Sequence, residues 1–130
     1  MSTDGLSTSS WPSHVPLHCP PSDAVAPDGS VFRLVATLPA TAADMKSALE
    51  EGRFVKQDPC LRAALSCSRT PEYLNDLRGS VPRLKNQLIA VASLDHTHGV
   101  IKQTGPVGHH SLWLFAGVLP LAHQLFGPHP

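Results

Sequence analysis

Residues Gln87–Leu94 read QLIAVASL. Eight residues, mostly aliphatic and β-branched and free of proline and glycine, are the clearest strand signal in the chain. Downstream, Asp95-His-Thr-His-Gly99 has the polar, glycine-ended composition of a turn, and Val100–Gln103 reads as another short strand before Gly105-Pro106 breaks the chain. Upstream, Thr70-Pro71-Glu72 opens a helix, with threonine at the cap and proline where no backbone donor is needed. Tyr73, Leu74 and Leu77 supply its apolar face and Gly79 its stop. Before it, Leu61–Ser68 (LRAALSCS) suits either a strand or a helical turn and is read as a strand over Ala64–Ser68. Val31–Leu38 (VFRLVATL) is a first strand, stopped by Pro39. Thr41 and Asp44 resemble a capping box with aspartate in place of glutamate, and Met45, Ala48 and Leu49 then mark one helix face up to Gly52. Leu112–Phe115 is the last apolar element, followed by a short helix or irregular tail to Phe126. Strands and short helices in mixed order predict an α+β domain, one small mixed sheet with two short helices packed on it.

The length of 130 residues fits one domain. Hydrophobic residues make up 42% and aromatics 5%, so the core is expected to be mainly aliphatic. Ten basic side chains balance ten acidic ones, which argues against a dedicated nucleic-acid binder. The longest apolar stretch, Leu112–Leu121, contains Gly117 and Pro120 and is well short of the roughly 20 residues of a membrane span. Three cysteines, Cys19, Cys60 and Cys67, are too few for a disulfide scaffold and leave at least one thiol free. A cytoplasmic location is therefore the default expectation.

Residues 1–29 differ from the rest. Five prolines, many Ser and Thr, and three acids without a base describe a disordered or extended arm. The folded domain is expected to span 30–130. Trp11 and Leu17 are the residues by which the arm would dock, on a partner or on the domain itself.

Six of the eight histidines fall after Asp95, where no side-chain carboxylate follows. His96 and His98 would share one face of a strand, and His109 and His110 sit together after Gly108. A hairpin over Gly99–Gly108 would bring the two pairs together, as an open zinc site or, with Cys60 or Cys67, a closed one. The same imidazoles suit general-base work, with His98 and His110 the catalytic candidates. Cys67, ahead of the Thr70 helix start, is the candidate nucleophile. Ser68, Arg69 and Thr70 would hold an anion through hydroxyls, amides and a guanidinium. Trp113, Phe115 and Phe126 in the C-terminal run are either core or the surface of a homodimer or protein partner.

Arg33 inside the first strand and the Ser-x-Ser of Ser66 and Ser68 at the end of the next resemble two of the three signatures of Arg-Ser-Glu ADP-ribosyltransferases. The resemblance implies that these groups hold NAD. That family also places a glutamate on a later strand, and here no glutamate follows Glu72. Two functions are thus expected. The first is a small binding or interaction module of unknown partner. The alternative is a small or degenerate enzyme with a histidine-rich metal site or an NAD pocket using Arg33, Ser66, Ser68, Arg69 and Thr70.

Overall fold

A computed structural model describes residues 10–129. Six strands form: β1 (Gly29–Val35), β2 (Leu65–Cys67), β3 (Leu88–Leu94), β4 (Gly99–Gln103), β5 (His110–Leu114) and β6 (Gly127–Pro128). Four short α-helices join them: α1 (Ala48–Glu51), α2 (Pro59–Ala63), α3 (Pro71–Ser80) and α4 (Ala122–Leu125). The class is α+β, as the element order predicts. The sheet is neither single nor mixed, however. Two three-stranded sheets form, ordered β1-β3-β6 and β2-β5-β4, and every ladder in them is antiparallel. Only the β4–β5 ladder is a hairpin, closed by the short turn between Gln103 and His110; the other ladders join strands distant in sequence. The sheets touch at one pair, where Phe32 and Ser68 exchange backbone bonds of 2.8 and 2.9 Å.

The main core lies between the sheets. Val31, Val35, Leu65, Cys67, Ala90, Ala92, Ile101, Leu112 and Leu114 bury there with Met45 and Phe126. Side chains alternate across a strand, so Trp113 points to the opposite face of β5 from Leu112 and Leu114. It is nonetheless only 1% exposed, packed with Cys19, Ala64, Trp11, Val15 and Val100. A strand covered on both faces reads as an unbroken apolar run. LWLF is such a run: Trp113 and Phe126 are buried, and half-buried Phe115 packs on Trp11 with ring centroids 4.8 Å apart.

What covers Trp113 is the N-terminal arm. Residues 1–9 of the expected disordered segment lie outside the described residues. Residues 10–28 form neither helix nor strand apart from one bridging residue, Val25; they run through turns closed by bonds from Val15, Cys19 and Ala24 to Pro12, Pro16 and Pro21, and pack onto the domain. Ser10 accepts a bond from Ala116, and Val25 and Ile101 exchange bonds of 3.0 and 2.7 Å along the free edge of β4. Lys102 holds Asp23 at 2.9 Å. A disulfide links Cys19 to Cys60, and the Trp113 indole N–H donates to the Cys60 carbonyl at 3.0 Å. Of the two expected anchors, Trp11 docks and Leu17 stays 86% exposed. Proline-rich composition hid the packing, because a few anchors suffice once a covalent bond holds them.

The local signals fare unevenly. Asp44 does reach back to the Thr41 amide at 2.9 Å, yet it closes a 3-10 turn over Ala42–Met45 rather than a long helix. A second box, Ser47 with Glu50, starts α1, and Gly52 ends it with φ of 70°. Thr70 precedes α3 as expected but makes no side-chain cap bond. The Ser68 hydroxyl takes that place, accepting from the Thr70 amide at 3.2 Å.

Candidate functional site

Beyond the Phe32–Ser68 pair no backbone bond joins β1 to β2, and the Arg33 side chain fills the gap between them. Its Nη1 donates to the Ser66 carbonyl at 2.6 Å. Its Nε and Nη2 donate to the Asp44 carbonyl at 3.0 and 2.8 Å. These partners are backbone carbonyls, because the Asp44 carboxylate is engaged with the Ala36 and Thr41 amides at 2.8 and 2.9 Å. Burial pulls the guanidinium below its ordinary pKa, while Cys67, Asp44 and Glu51 act the other way. Two residues past the end of β2, Arg69 donates to the carbonyls of Pro27 and Asp28, which lead into β1. Neither arginine has an ion-pair partner among the described residues. Carbonyl dipoles satisfy the N–H groups in place of a direct ion pair, with the Asp44 and Glu51 carboxylates acting on Arg33 from further off.

Cys67, the last residue of β2, is 1% exposed. Burial pushes its pKa up to about 12, against the opposing pull of Arg33 and Arg69. Its thiol donates to the His110 carbonyl at 3.6 Å. A protonated, enclosed thiol is no nucleophile, so the expected catalytic role of Cys67 is corrected. Ser68 is likewise buried, its hydroxyl donating to the Gly108 carbonyl at 2.7 Å. It holds the β4–β5 turn against β2 rather than offering itself to a ligand.

Ser66, between these two, faces the other way. β2 alternates buried, exposed, buried, and Ser66 is the exposed residue. Its hydroxyl lies 3.2 Å from Nε2 of His109. The other ring nitrogen, Nδ1, is 2.9 Å from the Thr104 carbonyl and 3.2 Å from the Thr104 hydroxyl. A carbonyl only accepts, so Nδ1 carries the proton and neutral Nε2 is left as an acceptor for the serine O–H. The Thr104 hydroxyl pairs with that of buried Ser111 at 2.8 Å. The result is a hydroxyl, an imidazole aimed at it and a carbonyl that fixes the ring.

The other histidines are placed apart. The expected hairpin forms, but its register pairs Gly99 with Leu114 and Gln103 with His110. His98, bonded through its carbonyl to the Phe115 amide at 3.0 Å, is therefore at the opposite end of the hairpin from His109 and His110. Five strand residues separate them by about 16 Å. The zinc site of His96, His98, His109 and His110 is not assembled, and among the described residues no group of three or more His, Cys, Asp or Glu is placed to hold a metal. Cys60, the other suggested zinc ligand, is in the disulfide. His98 instead accepts from the Asp95 amide at 2.9 Å within its own turn. His96 stays exposed. His110 lies beside the Gly108 carbonyl at 3.4 Å, and burial lowers its pKa.

The pairing of Ser66 with His109 is absent from any reading of the sequence alone, since the two residues are 43 positions apart and meet only once β2 lies beside β5. The two groups that carry the ADP-ribosyltransferase resemblance do come together, Arg33 on β1 against Ser66 on β2. The contact is to the Ser66 backbone carbonyl rather than its hydroxyl, and no glutamate follows Glu72 in the chain. No family model matches the chain, and neither the curated proteins nor the solved structures give a match.

Proposed function

We propose that this chain is a small binding module whose ligand is an anionic nucleotide of the NAD class, held beside β2. The observation that carries the proposal is the pair of guanidiniums, Arg33 and Arg69, held near β2 by backbone carbonyls and in no direct ion pair among the described residues. A phosphate would supply a direct ionic partner, and arginine suits it through its planar fork. Ser66, Thr70 and His109 offer neutral polar groups at the same strand for ribose or amide contacts. The resemblance of Arg33 and the Ser66–Ser68 stretch to the NAD-holding residues of ADP-ribosyltransferases supports the nucleotide over a simple anion. The lack of a glutamate after Glu72 supports binding over the glutamate-dependent transfer chemistry of that family.

The Cys19–Cys60 disulfide supports work in a non-reducing compartment, in place of the expected cytoplasm. No helix among the described residues is long and apolar enough to cross a membrane.

Isothermal titration with NAD, ADP-ribose and inorganic phosphate tests the assignment. The expected result is saturable nucleotide binding that weakens with salt and falls at least tenfold in Arg69→Gln, with the variant's melting temperature measured alongside. Absence of binding at millimolar NAD, or binding indifferent to Arg69→Gln in a folded variant, would refute it.

A further inference from the structure

We propose that Ser66 is a nucleophile activated by His109, and that the chain reacts with activated acyl and phosphonyl electrophiles at this hydroxyl. The inference does not depend on nucleotide binding. It stands on three features of one exposed spot. The hydroxyl of Ser66 lies 3.2 Å from Nε2 of His109. The Thr104 carbonyl, 2.9 Å from Nδ1, selects the tautomer whose Nε2 lone pair faces that hydroxyl. Ser66 is solvent-exposed while its strand neighbours Leu65 and Cys67 are buried, so the reacting oxygen is open to a substrate and its backbone is fixed by the β2–β5 ladder. Nucleophile, base and a group that orients the base are the parts that a hydroxyl needs for reaction at neutral pH.

With an ester, the step runs as follows. Ser66 Oγ forms a bond to the acyl carbon as its proton passes to His109 Nε2. The carbon–oxygen bond to the leaving alcohol breaks, and that alkoxide takes the proton back from Nε2. Water then attacks the acyl-serine, gives its proton to Nε2, and releases the acid while Ser66 Oγ is reprotonated. The Thr104 carbonyl stays bonded to Nδ1–H throughout and favours the transient imidazolium. Thr104 itself is steadied by its hydroxyl bond to Ser111 at 2.8 Å.

The test uses a fluorophosphonate probe on the full chain, whose phosphorus accepts Oγ as fluoride leaves. Intact mass and peptide mapping should show one adduct, on Ser66. Ser66→Ala should abolish the adduct. His109→Gln should slow labelling by about 10²- to 10⁴-fold, the usual contribution of a positioned general base. An adduct elsewhere, no adduct at all, or an unchanged rate in His109→Gln would overturn the proposal. Site mapping is read on the unaltered chain, so it decides the matter even where a variant fails to fold.

Discussion

Cutting the bond between Cys19 and Cys60 should release the N-terminal arm and with it a large part of the stability. The two residues are 41 positions apart. Closing a loop of that length removes chain entropy from the unfolded state worth about 4 kcal/mol at 25 °C. A domain of this size is stable by only about 5–15 kcal/mol in all, so the loss is substantial. In melting temperature it corresponds to on the order of 15 °C. The arm's other ties are the Ala116–Ser10 bond, the bridge to Ile101, the Arg69 bonds to Pro27 and Asp28, the exposed Asp23–Lys102 pair, His14 beside Glu50 and the packing of Trp11 and Val15. Without the covalent tie these contacts alone must keep Trp113 covered. The assay is urea unfolding of the oxidised chain, of the same chain with reductant, and of the Cys19→Ser/Cys60→Ser double variant. Thiol titration in denaturant should count one reactive thiol in the oxidised chain and three after reduction. A stability change under about 1 kcal/mol, or three thiols in the untreated protein, would refute the reasoning.

Trp113→Ala should lose about 3–5 kcal/mol by urea unfolding, since its side chain is buried under the arm. Ser68→Ala should lose about 1–3 kcal/mol by leaving the Thr70 amide and Gly108 carbonyl short of a partner, whereas Thr70→Ala should change little because that hydroxyl caps nothing. Iodoacetamide at pH 8 should leave Cys67 of the oxidised native chain unmodified and alkylate it in urea, because burial holds its pKa at about 12. His110 has a pKa lowered by burial, so the unfolded chain binds its proton first as pH falls. Its share of stability is complete above the unfolded value near 6.5 and declines below it. The fall in melting temperature between pH 7 and pH 5 should therefore be shallower in His110→Gln.

Much of the fold was legible because its strands carry their own signal. QLIAVASL became β3 over Leu88–Leu94, and VFRLVATL became β1 with Arg33 inside it. The Thr70-Pro71 start opened α3. What the sequence hid were partnerships between distant segments. Whether Trp113 faces a partner or the core depends on where residues 10–28 lie, and proline-rich composition speaks only of their intrinsic propensity. Whether the histidines converge depends on hairpin register, and spacing along a strand fixes faces rather than ends. By sequence Ser66 is a candidate NAD-holding residue and His109 a candidate metal ligand. Only the β2–β5 ladder turns them into a hydroxyl and its base. Cys67 was misread for a physical reason of the same kind, since a thiol's reactivity is set by the burial that tertiary packing imposes.

The assignment of an anionic nucleotide to the site beside β2 is tested most directly by a two-dimensional amide NMR titration with NAD on the oxidised, full-length chain. The account predicts saturating shifts confined to Arg33, Ser66–Thr70 and the Thr104–His110 turn. Shifts centred on the arm around Trp11 and Val100, or a spectrum unchanged at millimolar NAD, would contradict it.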